Sequence, residues 1–421
     1  MPRQYFGTDG VRGVVGEDLT AELVERLGRA ATSWSGRGRI FVGRDTRASG
    51  VELEAALARG IASAGGNAVV AGVLPTPAVA LLTLDLGCVI TASHNPPEYN
   101  GVKFFDRDGQ KLTDEQEEQI EALLDQPPTG GGEIDEVGVA TDSYLEHVLE
   151  RFGSDLSGLR IGVDCANGAY SGLAPKAFEQ LGASIETIGN DPDGTNINVG
   201  CGATDLRALQ ELVRGERLDL GVAFDGDGDR MLAVDANGDV VDGDQIVALL
   251  ALHLQVPSVT VTPMTNGGFH ELMAQHGIET YVTEEVGDRY VLELIRATGG
   301  TLGGEQSGHI IYLEGHVTGD GLVAALLLCR ALEGRTLAEA AGLMPHHPQV
   351  KENVRVRSKT LSPELLEEVV RRNAELEGRG RVLVRPSGTE PVVRILAEAR
   401  DEEEAEALCA TIADLVRREL G

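Results

Sequence analysis

The sequence predicts a layered α/β architecture used three times along the chain, followed by a smaller α+β domain. Three observations carry this. Strand-like runs such as Arg39-Ile-Phe-Val-Gly, Asn67-Ala-Val-Val-Ala and Cys88-Val-Ile-Thr alternate with helical stretches at 19–31 and 51–64. After the loop Gln126-Pro-Pro-Thr-Gly-Gly-Gly the same alternation begins again, and then a third time. Beyond Met344-Pro-His-His-Pro its character changes.

Taken in order, a first domain spans 1–138. A second, 139–242, holds Leu159-Arg-Ile-Gly-Val-Asp, a helix near 172–181, Ala183-Ser-Ile-Glu-Thr-Ile, a further helix and Leu220-Gly-Val-Ala-Phe. A third, 243–346, runs from Val259-Thr-Val-Thr through Glu279-Thr-Tyr-Val-Thr to Gly300-Thr-Leu-Gly-Gly. The fourth, 347–421, has strand-like runs at 351–356, Arg381-Val-Leu-Val-Arg and Val392-Val-Arg-Ile-Leu, and ends in a charged amphipathic helix over 401–420.

Composition limits the function classes. The 421 residues are 42% hydrophobic and 24% charged, ordinary for a globular chain. A formal charge of -31 disfavours nucleic acid and anionic membrane surfaces as partners, so an anionic substrate would need local Arg, Lys and backbone N–H groups. The N-terminal Met1-Pro-Arg-Gln-Tyr-Phe has no apolar signal core and no apolar run is long enough to span a membrane, which predicts a soluble cytoplasmic protein. Cys88, Cys165, Cys201, Cys329 and Cys409 include no CxxC pair and are expected to be reduced core residues.

Four loops invite a chemical reading. In Thr91-Ala-Ser-His-Asn-Pro, an apolar strand breaks at small polar residues, and the position before Pro96 is pushed away from helix. This should leave the Ser93 hydroxyl at an exposed strand end, where it can carry an acyl or phosphoryl group. Taken alone, the hexapeptide reads equally well as a turn.

Asp225-Gly-Asp-Gly-Asp-Arg follows the strand Gly221-Val-Ala-Phe. At about 5 Å and an effective dielectric near 20, each pair of its carboxylates repels by about 3 kcal/mol, which a cation would relieve. Alternate side chains of an extended strand are about 7 Å apart, so Asp225, Asp227 and Asp229 must curl around an ion, as Gly226 and Gly228 permit. An EF-hand would need glycine and glutamate where Arg230 and Ala236 stand. Carboxylate oxygens suit Mg²⁺.

Gly303-Gly-Glu-Gln-Ser-Gly-His combines Glu305, Gln306, Ser307 and His309, donors and acceptors fit for a polyhydroxylated ligand. Arg385-Pro-Ser-Gly-Thr-Glu-Pro offers Arg385, Ser387, Gly388 and Thr389 as a phosphate cradle, with Arg394 as a second cation. No P-loop motif occurs. Together the four loops describe phosphoryl transfer on a phosphosugar.

These four motifs, in this order, resemble the loops of the α-D-phosphohexomutases. Tyr5-Phe-Gly-Thr-Asp-Gly-Val-Arg-Gly, Val286-Gly-Asp-Arg-Tyr-Val and Gln306 are similar to the bacterial phosphoglucosamine mutases within that superfamily. The resemblance implies three similar mixed-sheet α/β domains and a smaller C-terminal α+β domain around a central cleft, and it leaves room for a homodimer. It implies that Ser93 is phosphorylated, that Mg²⁺ sits on Ser93, Asp225, Asp227 and Asp229, and that glucosamine 6-phosphate and glucosamine 1-phosphate interconvert. The intermediate would be glucosamine 1,6-bisphosphate, with this compound or glucose 1,6-bisphosphate as activator. Arg12, Lys103 and Arg230 would stabilise the transferring group or handle protons, and His94 would orient the loop. Glu305, Ser307 and His309 would meet the sugar, and Arg289 would set specificity. Arg385, Ser387, Gly388, Thr389 and Arg394 would hold the phosphate that is not reacting. The sequence departs from the family pattern at Pro97, where an aromatic residue is usual, and in a trimmed segment near Asn198. Rival readings are a phosphomannomutase or phosphoglucomutase, a sugar phosphatase in which water attacks phospho-Ser93, and a silent sugar-phosphate-binding protein.

Overall fold

A computed structural model describes residues 4–7, 9–376, 378–387 and 391–421. The chain divides into two compact units: the chain up to Thr262 together with Tyr281–Ala341, and Pro263–Thr280 together with Gly342–Gly421.

In the larger unit the first sheet has the strand order Phe6–Gly7, Gly10–Val14, Tyr99–Phe105, Leu86–Ile90, Arg39–Arg44, Asn67–Val73, Ile134–Glu136. Pairing is parallel from Leu86–Ile90 through to Ile134–Glu136 and antiparallel on the other side. The apolar strand Leu86–Ile90 is buried along its whole length, as expected of a central strand covered on both faces. The helix Ala21–Ser35 begins at Thr20, whose side chain accepts the Leu23 N–H, and ends at a left-handed Gly36. It packs closely on the helix Gly50–Ser63, where a Cβ on Gly60 would lie 2.0 Å from the Glu25 carbonyl oxygen. Leu27, Leu53, Leu57 and Ile61 from these helices bury themselves against Ile40, Val42, Cys88 and Ile90.

A second sheet has the order Val240–Val241, Met231–Asp235, Leu220–Phe224, Arg160–Asp164, Ser184–Ile188 and is again mixed. In the third, Ser258–Val261 pairs in parallel with Leu302–Gly304, which pairs antiparallel with Ile310–Tyr312. Three mixed-sheet α/β layers thus match the architecture read from the sequence. The antiparallel return strands carry no comparable signal: Tyr99–Phe105 is interrupted by Gly101 and Lys103, and Ile310–Tyr312 is short.

The smaller unit is α+β. Gln349–Arg355 and Arg381–Pro386 flank Val392–Glu398 in an antiparallel sheet. The helices Pro363–Leu376 and Glu402–Leu420 cover it, with Leu365, Cys409, Ile412 and Val416 packed on Val354, Val393 and Ile395. The segment 263–280 is tied to this unit by Asn266, which bonds both the N–H and the carbonyl of His347, and by the Gly267 N–H on the Glu398 carboxylate. All five cysteines are free and buried. Among the described residues no helix is long and apolar enough to cross a membrane.

Candidate active site

The reactive loops leave the carboxyl ends of strands, the usual place for ligands in open α/β sheets. Ser93 follows Leu86–Ile90, and the chain returns at Tyr99–Phe105. The serine is only 2% exposed, not at an open strand end as its sequence suggests. The reason is the aspartate loop packed on it: a Cβ on Gly226 would lie 2.7 Å from the Ser93 carbonyl oxygen. The Ser93 hydroxyl donates to Asp225 Oδ2 at 2.6 Å and lies 3.3 Å from His94 Nδ1. Burial, then the positive charges of Arg230 and Arg12, lower the His94 pKa to about 4, so that ring is neutral near pH 7.

Asp225, Asp227 and Asp229 follow Leu220–Phe224 and curl as the repulsion argument requires. One ligand atom from each lies within 4.8 Å of the others, and all three residues are buried. Burial, then Asp227 and Asp229, push the Asp225 carboxyl well above the usual range, against Arg230 and the Ser93 hydrogen bond. Asp227 Oδ2 accepts from Thr76 at 2.7 Å and from Lys103 at 3.1 Å, while its buried Oδ1 has no hydrogen-bond partner among the described residues. An orphaned carboxylate oxygen inside an acidic triad fits a divalent cation.

Lys103, 2% exposed, lies 3.1 Å from both Asp9 Oδ2 and Asp227 Oδ2 and 3.6 Å from Asp229 Oδ2. Burial opposes its charge, but Asp227, Asp9 and Asp229 outweigh that and raise its pKa. Arg12, on Gly10–Val14, pairs with Asp9. Arg230 Nε is 3.9 Å from Asp229 Oδ1.

Glu305 follows Leu302–Gly304 and lies 3.4 Å from the Ser307 hydroxyl. Burial and Asp288 raise its pKa. His309 sits between Asp229, 3.5 Å from its Nδ1, and Asp288, 3.3 Å from its Nε2. Burial lowers its pKa, yet Asp288 and Asp229 win and raise it. The structure therefore gathers Ser93, His94, Lys103, Arg12, Arg230, the three aspartates and His309 into one buried ionic network.

Arg289 is placed differently: its guanidinium pairs with Asp114 and, at 3.0 Å, with Glu117. Its neighbour Asp288 makes the site contacts, to His309 and to Lys111. Asp9, Lys111 and Asp288 were missed as site residues, although Asp9 and Asp288 stand inside the two motifs quoted above. Lys111 pairs with both.

In the smaller unit, Arg385 and Arg394 face each other across paired strands. With Lys351 and Asn353 they line a cavity of about 210 Å³. Arg394 reaches the Ser387 hydroxyl at 3.4 Å. Gly388 and Thr389 lie outside the described residues.

Four successive segments, 3–129, 142–238, 242–347 and 352–415, match domains I, II, III and IV (the C-terminal domain) of the phosphoglucomutase/phosphomannomutase family. A phosphoglucosamine mutase from Pelotomaculum thermopropionicum is 48% identical, over 98% of each chain. A phosphoglucomutase/phosphomannomutase family protein from Burkholderia thailandensis superposes with a TM-score of 0.84 at 25% identity, over 98% of this chain and 96% of that one. The N-acetylphosphoglucosamine mutase of Aspergillus fumigatus, solved with GlcNAc-6P and magnesium, gives 0.72 at 18% identity, over 99% and 96%. Four matched domains and near-half identity over the full length leave one family: the chain belongs to the phosphoglucosamine mutases of the α-D-phosphohexomutase superfamily.

Proposed function

We propose that this chain interconverts glucosamine 6-phosphate and glucosamine 1-phosphate, with Ser93 as phosphoryl carrier. The observation that carries the reading is the Ser93 hydroxyl set 2.6 Å from Asp225 within the acidic triad. Phospho-Ser93 gives its phosphoryl group to O1 of the 6-phosphate, and the O1 proton leaves to a base. The resulting 1,6-bisphosphate turns over, and its 6-phosphoryl group passes to the Ser93 oxygen, leaving the 1-phosphate. Two P–O bonds form and two break, so nothing is consumed.

Asp225, Asp227, Asp229 and an oxygen of phospho-Ser93 would hold Mg²⁺, which supplies charge neutralisation for the phosphoryl group. Lys103, Arg12 and Arg230 bring positive charge to the same place, and His94 steadies the serine. Glu305, Ser307 and His309 receive the sugar. Arg385, Ser387 and Arg394 take the distal phosphate, with Gly388 and Thr389 completing that loop. The bisphosphate of glucosamine or glucose would prime Ser93. Magnesium in the Aspergillus relative and the name of the Pelotomaculum one support these assignments. Arg289, held by Asp114 and Glu117, would act on specificity by anchoring the turn that carries Asp288. The reading includes the domain limits 1–138, 139–242, 243–346 and 347–421, a cytoplasmic location, and a homodimer, which light scattering would test.

The deciding assay runs glucosamine 6-phosphate beside mannose 6-phosphate and glucose 6-phosphate, with Mg²⁺ and a trace of glucose 1,6-bisphosphate, on wild type and Ser93→Ala. Fastest turnover of the amino sugar, abolished in Ser93→Ala, is expected. Faster mannose or glucose phosphate turnover would overturn the sugar. Full activity in Ser93→Ala would overturn the carrier, and phosphate release exceeding isomerisation would indicate a phosphatase.

A further inference from the structure

Arg47 takes no part in the chemistry above, yet it is wholly buried. It stands between the strand Arg39–Arg44 and the helix Gly50–Ser63. A guanidinium has five N–H donors, and here each has an acceptor. Nε donates to Asp45 Oδ2 at 2.9 Å. Nη1 donates to the carbonyls of Pro96 and, at 3.0 Å, of Tyr99. Nη2 donates to the carbonyls of Ser93 at 2.9 Å and Asn95 at 2.8 Å.

The other end of the serine is tied to the same ion pair. Asp45 Oδ2 accepts from the Thr91 hydroxyl at 2.7 Å, and that oxygen accepts the Ser93 N–H at 2.8 Å. Asn198, arriving from the second sheet's loops, adds a second donor on the Ser93 carbonyl at 2.9 Å and another on Asn95 at 3.2 Å. All this restraint surrounds a strained residue: Ser93 has φ of +52°, in the left-handed region that costs a residue with a Cβ about 1–2 kcal/mol. The direction of the Ser93 side chain, and so of the phosphoryl group it carries, follows from that φ.

We propose that Arg47, with Asn198 as second donor, is the positioning residue that holds Ser93 left-handed and aims its oxygen at the Asp225 site. The proposal rests on the phosphoryl-carrier reading of Ser93. A misplacement of about 1 Å at a reacting group can cost about a hundredfold in rate, which makes a clamp of this kind kinetic in its effect. Lysine cannot replace it, having three donors from one nitrogen and no planar fork.

The test compares wild type, Arg47→Lys and Asn198→Gly. The second is the milder change, because Asn198 itself has φ of +60° and glycine keeps that backbone without strain while removing the amide. Each protein is incubated with Mg²⁺ and glucose 1,6-bisphosphate, and Ser93 phosphorylation is timed by intact mass. Turnover of glucosamine 6-phosphate is measured beside it. Phosphorylation rate and kcat should fall about a hundredfold in Arg47→Lys and about tenfold in Asn198→Gly, with KM within about threefold of wild type. Wild-type rates in folded Arg47→Lys overturn the proposal, and Asn198→Gly decides in the same way if Arg47→Lys does not fold. A loss confined to KM also overturns it, since that would be a substrate-binding effect. The phosphorylation readout needs no amino sugar. A wild type that is phosphorylated but does not convert glucosamine 6-phosphate therefore overturns the sugar assignment and leaves the clamp measured.

Discussion

At Lys103 one ammonium stands among the carboxylates of Asp9, Asp227 and Asp229. Its removal leaves negative charges facing one another where a phosphoryl group must arrive. Lys103→Met should lower kcat by about 10²–10³ with a much smaller change in KM, as steady-state kinetics at saturating Mg²⁺ would show. Wild-type kcat would mean that Lys103 only balances charge. Asp9 was less legible from the sequence than Lys103 because its value lies in its company: it pairs with Arg12, Lys103 and Lys111, the last 102 positions away. A linear motif shows the residue and conceals the partners.

Among the elements, the helix Gly321–Ala331 shows how a site scaffold is fixed. Asp320 caps it, accepting the Leu322 and Val323 N–H groups at 2.9 and 3.0 Å. The same carboxylate accepts the hydroxyls of Tyr144 and Tyr170, each at 2.7 Å, and lies 2.9 Å from His316 Nε2. Burial works against its charge, but His316 and Tyr144 outweigh it and lower its pKa. A depressed carboxylate adds stability above its unfolded pKa and loses it as pH falls through the folded one. Asp320→Asn should therefore destabilise by about 2–4 kcal/mol at pH 7. The Tm gap from wild type should narrow as the pH drops below about 4, which scanning calorimetry across pH would test. A constant gap would show that the cap geometry, and not the charge, matters. The helix was hard to read from its sequence because it is apolar all round: Leu322 to Cys329 are buried without a break, which removes the polar stripe that betrays an amphipathic helix.

For the whole molecule, the three aspartates lie in one compact unit and the arginine cradle in the other. Calorimetry should show Mg²⁺ raising the transition of the larger unit, by about 2.7 kcal/mol at a hundred times the dissociation constant, and chelator reversing it. Asp225→Asn and Asp227→Asn should blunt that shift, and an unchanged shift in both would remove the cation from this site. The three α/β layers and the four loops were legible because parallel strands are apolar runs ending in glycine and polar residues. The fate of Arg289 and the burial of Ser93 were not, since both depend on what another part of the chain lays against them. The division into units has a consequence for how the gene can be cut. The smaller unit is built from two separate stretches, and Asn266, Gly267 and the Thr265 carbonyl of the first are bonded to His347, Glu398 and Arg381 of the second. Residues 342–421 expressed alone would lack the helix Gly267–Gln275 and leave the buried Glu398 carboxylate without the Gly267 N–H, so the C-terminal region is no detachable module. Recombination that exchanges it between relatives must carry the distant eighteen-residue stretch Pro263–Thr280 along with it.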